Sequence, residues 1–84
     1  MWYVITPSGE VEELKEELEL KEMQEAVGGW IEPIPNFYSK EAYGDEEGLR
    51  KGKELNPYAM RYLRFSHSPL VGNIIVKADT RPDV

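Results

Sequence analysis

The 84-residue sequence contains no cysteine. That absence removes disulfide bonds, thiol catalysis and thiolate metal sites together, and it suits an intracellular setting. Histidine occurs once, at His67, so a multi-histidine zinc site within one chain is excluded. No apolar run approaches the ~20 residues that a membrane helix needs. The opening Met1-Trp2-Tyr3-Val4-Ile5 shows no basic region or cleavage site, so no export signal is expected and the expected location is the cytoplasm. Repeats are missing, as are low-complexity linkers apart from one Glu-rich stretch. What is present is globular in kind: 40% hydrophobic, 31% charged, with five Tyr, two Trp and two Phe. A chain of this length makes one domain with a small core.

The net charge of −6 lies in one place. Residues 10–25 hold eight Glu and two Lys, and the remaining eight acids and eight bases cancel. Such a surface repels phosphate backbones, so direct nucleic-acid binding is not expected. Its ordinary role is a solvated face that keeps a small protein soluble. The sharper alternative is an acidic surface offered to a basic partner.

Trp2-Tyr3-Val4-Ile5-Thr6 is aromatic and β-branched and reads as a strand. Pro7-Ser8-Gly9 reads as a turn, which suggests a hairpin into residues 10–14. Residues 10–27 invite a single helix, and local propensity favours one. At about 100° per residue, however, Val11, Leu14 and Leu18 gather on one side, while Leu20, Met23, Ala26 and Val27 gather on the other. A change of structure near residues 18–20 resolves the conflict. It leaves a short helix with Leu20, Met23 and Val27 as its stripe, preceded by a strand or irregular stretch. Gly28-Gly29 then ends the helix in a left-handed cap.

Trp30-Ile31-Glu32-Pro33-Ile34-Pro35 looks extended, and its prolines restrict it to an edge. Residues 36–43 are a further strand candidate. Asp45-Glu46-Glu47-Gly48 is a turn signal, with three acids expected to be solvated. Asn56-Pro57 pairs a leading N-cap with the residue that best fits the first helical position, and the helix is expected to run to about Phe65. Leu70-Val71-Gly72-Asn73-Ile74-Ile75-Val76-Lys77 reads as a central strand, with Gly72 marking a bulge or a close backbone approach. Residues 78–84 read as a flexible tail beyond a domain spanning 1–77.

Few residues form a chemical constellation. A phosphate cradle needs glycines ahead of a helix N-terminus, and Gly28-Gly29 follows a helix. Residues 48–53, Gly-Leu-Arg-Lys-Gly-Lys, fall one residue short of a phosphate loop and lack the following Ser or Thr. Asp45, Glu46 and Glu47 do not alternate as calcium ligands do. His67 has only sequence neighbours, Ser66 and Ser68, and reads as a loop residue. Arg50, Lys51, Lys53, Arg61 and Arg64, near Tyr58, Tyr62 and Phe65, form the one plausible anion-binding patch, with Arg61 and Arg64 three apart on one helix face. Ordinary surface charge is the blander account.

The order of the pieces resembles a family of small uncharacterised proteins from phages, plasmids and other mobile elements, known as a domain of unknown function. The resemblance rests on residues 20–32 (Leu-Lys-Glu-Met-Gln-Glu-Ala-Val-Gly-Gly-Trp-Ile-Glu), Asp45-Glu46-Glu47-Gly48, Asn56-Pro57-Tyr58-Ala59 and residues 70–76. It implies a hairpin at the start and an α+β domain, and it supplies no activity. The matching residues to watch are Gly28, Gly29, Glu32, Glu47, Asn56 and Gly72. Glu32, in an apolar strand, is the most chemically suggestive, although a solvent-facing edge position explains it.

The expected fold is therefore α+β: a small, mostly antiparallel sheet of about four or five strands with two short helices on one face. The expected function is that of an uncharacterised accessory protein of a virus, plasmid or integrated element. It would act without catalysis, by binding a protein partner or a small molecule, and with no cofactor. Gly28, Gly29, Glu32, Glu47, Asn56, Arg61 and Arg64 are the candidate binding residues. One alternative is an acidic mimic of nucleic acid, which needs the Glu side chains of 10–25 in one free row. The other is a small hydrolase or nucleotide-processing enzyme, which needs Glu32, Glu47, Asn56 or His67 to converge. A homodimer through a sheet edge near residues 30–43 is also expected to be open to the chain.

Overall fold

The structure is a computed structural model that describes residues 1–39, 41–64 and 69–84. Five strands and two helices follow one another as β1 (Trp2–Ile5), β2 (Val11–Glu13), α1 (Leu20–Val27), β3 (Ile31–Pro33), β4 (Glu41–Asp45), α2 (Pro57–Met60) and β5 (Ile74–Lys77). The strands form one sheet in the order β2-β1-β5-β4-β3, with every pairing antiparallel. The α+β class with a five-stranded sheet and two short helices is as the sequence implies.

Trp2 to Ile5 are all buried because β1 is covered on both sides. Tyr3 and Ile5 point to one core with Ile74, Val76, Phe37 and Ala59. Trp2 and Val4 point to the other, with Ile75 and Val27. β5 alternates in the same way and lies third of five, the central position its apolar run suggests. The strand begins four residues later than expected, at Ile74. Gly72 takes φ 71°, and its N–H is given to the Glu54 carbonyl at 2.8 Å.

The chain from Val11 to Val27 does break. β2 pairs with β1 from Val11 to Glu13, and α1 starts at Leu20. Glu22 Oε1 accepts the Glu19 backbone N–H at 3.0 Å, which satisfies one free donor of the first turn. The inward stripe consists of buried Val27 with partly buried Met23 and Ala26, packed with Leu14 and Leu18 over Trp2 and Val4. Leu20, expected in that stripe, is exposed.

The helices differ from expectation in placement. α1 lies over the Trp2 face, while Ala59 of α2 is buried on the opposite, Tyr3 face. A central sheet with apolar side chains on both faces needs cover on both, so two helices on one face would leave the other wet. α2 is one turn long. It ends at Met60, short of the expected run to about Phe65, and residues 61–64 beyond it are not helical; Phe65 and His67 themselves lie outside the described residues. The chain at 36–38 returns beside it: Tyr38 N–H donates to the Tyr62 carbonyl, and Arg64 N–H to that of Asn36.

Residues 78–84, set apart as a tail in the sequence, run back over the sheet. Ala78 N–H donates to the Met1 carbonyl, the Arg81 guanidinium to that of Val11 and the Tyr62 hydroxyl to that of Asp83. Pro82 is buried.

Candidate functional site

A helix leaves its last carbonyls without internal partners. α1 meets this need with side chains from distant parts of the chain. Gly28, at φ 82°, turns the backbone so that its own N–H and that of Gly29 return to the Gln24 carbonyl. Asn73 Nδ2 then donates to the Ala26 carbonyl at 3.2 Å. Lys53 Nζ donates to that of Val27 at 2.7 Å, and Lys51 Nζ to that of Gly28 at 3.2 Å. Two ammonium groups at the negative end of the helix also complement its dipole.

Both lysines share a second partner. Asp45 Oδ2 accepts Lys53 at 2.7 Å and Lys51 at 2.9 Å. The Asp45 side chain is 1% exposed, against 40% for Lys51 and 25% for Lys53. Its other oxygen, Oδ1, accepts the Glu47 N–H at 2.9 Å and so holds the turn. Burial by itself would raise the Asp45 pKa, but the hydrogen bonds from Lys53 and Lys51 outweigh it and hold the carboxyl below its ordinary value. The expectation of three solvated acids at this turn is thus corrected for Asp45. Neutralisation by two lysines makes its burial tolerable.

Glycines surround this junction. A Cβ on Gly29 would lie 2.7 Å from Asp45 Oδ1 and from Lys51 Nζ, and one on Gly72 would lie 2.8 Å from Lys53 Cδ. The candidates Gly28 and Gly29 therefore belong to an internal ion cluster. Lys51 and Lys53, grouped in the sequence with an anion-binding patch, instead hold Asp45 and the end of α1, and the inward turn of Asp45 was missed. One signal existed: an Asp followed two residues later by a turn amide is the pattern of an Asx turn.

The other candidates go elsewhere. Asn56 is fully buried. Its Oδ1 caps α2 by accepting the Ala59 N–H at 3.0 Å, and its Nδ2 donates to the Ile5 and Gly72 carbonyls at 2.9 Å each. Every polar atom of that side chain is used. Glu32 is exposed on β3, and Glu47 is paired with Arg50. These three do not converge, and His67 lies outside the described residues. Arg61 and Arg64 are exposed, with no ion pair among the described residues; Arg64 lines a shallow cleft with Tyr38 and Asn36.

The acidic stretch is partly paired. Glu22 meets Lys15 at 2.6 Å, Glu17 meets Lys77 at 3.4 Å, and Glu16 lies 3.8 Å from the N-terminal amine. The hydrogen bond from Lys15, with the Glu19 amide, lowers the Glu22 pKa. A mimic of nucleic acid needs these carboxylates free and in one row.

Large apolar side chains are also left open. Trp30 is 66% exposed and Leu49 61%. Trp30 directly follows the Gly28-Gly29 pair, and its carbonyl accepts the Glu46 N–H at 2.8 Å. Glu46 and Leu49 line a cleft of about 410 Å³ with Glu32, Ile34, Leu70 and Val71. β3 forms its rim and is an edge strand. Trp30 bonds to Glu46, just past β4, and Ile34 to Ala42 within it, so by alternation Ile31 and Pro33 turn their backbone groups outward. Pro33 has no N–H, which leaves Ile31 as the strand's one outward amide donor with no partner among the described residues.

The sequence matches a domain of unknown function, DUF3846, over residues 2–83. The chain belongs to that family. No curated protein and no solved structure matches it.

Proposed function

We propose that this DUF3846 chain is a non-enzymatic binding protein whose ligand is another protein, engaged through the end of the sheet that carries Trp30. The observation that carries this reading is the 66% exposure of Trp30. A large aromatic ring left in water is a common anchor of protein interfaces. Of the polar side chains weighed for catalysis, Asn56 is engaged with three backbone groups and Glu47 with Arg50, while Glu32 is exposed on β3. The accessory role in a virus, plasmid or integrated element enters this proposal from the sequence resemblance. Pairing of two copies along β3 is a weaker arrangement, since that strand offers one outward amide donor.

Affinity capture from the native host, comparing wild type with Trp30→Ala, tests the reading. Truncating an anchor costs about 2 kcal/mol, or roughly thirtyfold in affinity, so a protein retained by wild type is expected to be lost from the variant. Retention of a small molecule with no protein, or equal capture by both forms, overturns it.

A further inference from the structure

We infer that the cleft beside β3 receives a basic, apolar peptide segment of the partner; the inference rests on the binding role proposed above and gives that partner its chemistry. The cleft lining contains three acids and no Lys or Arg. Asp45 is committed to Lys51 and Lys53. Glu32 and Glu46 have no ion-pair partner among the described residues and are exposed. The apolar part is supplied by Ile34, Leu49, Leu70 and Val71. At about 410 Å³ the cleft sits near the small end of ligand clefts, roughly 300–1,000 Å³, with room for a few side chains.

The rim has the same electrical sense. The outward carbonyls of Ile31 and Pro33 accept hydrogen bonds, and a single N–H stands against them. An edge rich in acceptors and poor in donors is a poor template for strand addition, which uses both in alternation. It suits the several N–H groups of a Lys or Arg side chain. Two free carboxylates, outward carbonyls and an apolar floor together select cations flanking a Leu-like residue. Exposed Trp30, outside the cleft lining, offers a further apolar contact, which favours a chain segment over a small cation.

Two synthetic peptides with the same Leu positions, one carrying Lys and one carrying Glu at the charged positions, are titrated into the full-length ¹⁵N-labelled protein. The Lys peptide is expected to shift amides near 32, 44–49 and 70–74. The double variant Glu32→Lys, Glu46→Lys is expected to weaken it about tenfold or more and to gain affinity for the Glu peptide. The control Glu12→Lys, Glu13→Lys, on exposed positions of β2, alters the net charge equally and is expected to leave the cleft affinity within about threefold. Shifts confined to residues 10–25, equal weakening by both double variants, or no binding of the Lys peptide overturns the inference. Capture of a protein through Trp30 alongside any of those results leaves the binding role standing and removes only its assignment to a basic segment.

Discussion

Replacing Asp45 with Asn probes the junction that joins α1 to the 45–53 turn. The substitution keeps the volume and keeps an oxygen for the Glu47 N–H, so no cavity term enters. It removes the charge that faces Lys53 at 2.7 Å and Lys51 at 2.9 Å. A hydrogen bond to a charged group contributes about 1.5–3 kcal/mol. Lys53, mostly buried, takes that range. Lys51, 40% exposed, takes the 0.5–1 kcal/mol typical of a screened pair, to order of magnitude. Both ammonium groups retain helix carbonyls as acceptors, so the lower part of the sum applies: about 2 kcal/mol. A domain of this size has roughly 4–13 kcal/mol in total. The expected fall in Tm is about 8–16 °C.

Chemical denaturation of Asp45→Asn, Lys53→Met and the double variant gives the coupling directly. About 1–2 kcal/mol of non-additivity is expected. A loss below about 0.5 kcal/mol in either single variant, or additive losses, refutes the junction as a source of stability. pH supplies an independent reading. The folded-state pKa of Asp45 lies below its ordinary 3.8. On acidification the unfolded chain therefore takes up the proton first, and the contribution present above the unfolded value is lost as pH falls through the folded one. Wild type and Asp45→Asn should differ most near neutrality and converge below about pH 4. A constant difference across that range contradicts the assignment.

Substitutions at Asn56, Gly29 and Gly52 test the surrounding packing. Asn56→Ala strands the Ala59 N–H and two carbonyls and is expected to cost about 3 kcal/mol or more by urea denaturation. Asn56→Asp keeps the cap but sets a carboxylate against the Ile5 and Gly72 carbonyls, so its folded pKa is raised and its deficit should shrink as pH falls; a pH-independent deficit contradicts this. Gly29→Ala drives a Cβ to 2.7 Å from Asp45 Oδ1, whereas Gly52→Ala, at φ 74°, meets nothing within 4 Å. The second is expected to cost about 1 kcal/mol, from backbone strain. The first should cost more and lose part of that excess in an Asp45→Ala background, which removes the carboxylate the Cβ meets, with denaturation midpoints as the measure.

Local chemistry made much of the fold legible. The β-branched and aromatic run of β1, the swap of apolar sides near residues 18–20, the left-handed Gly28 and the Asn56-Pro57 cap are each decided within a few residues, and each stands in the structure. Where the helices settle is decided elsewhere. Ile74 and Ile75 look alike in sequence, and only the finished sheet shows that they face different cores. Lys51 and Lys53 read as surface charge because their partners, the carbonyls of Gly28 and Val27, lie 23 and 26 residues away. No periodicity or spacing rule reaches across that interval. The candidate site divided along the same line: Gly28 and Asn56 carried a local conformational signal, while the inward turn of Asp45 depended on cations brought in by tertiary structure.

The junction also bears on the surface proposed for binding. Trp30 follows the glycine pair whose first carbonyl Lys51 holds. Leu49 sits in the turn that contains that lysine, where the Leu49 carbonyl accepts the Gly52 N–H. Asp45, bonded to both Lys51 and Lys53, ties the end of α1 to this turn, and so fixes how far apart the two exposed apolar side chains stand. An interface anchor loses less entropy on binding when its backbone is already held. The buried charges then have a use beyond stability: they hold in place an apolar surface that the core does not cover.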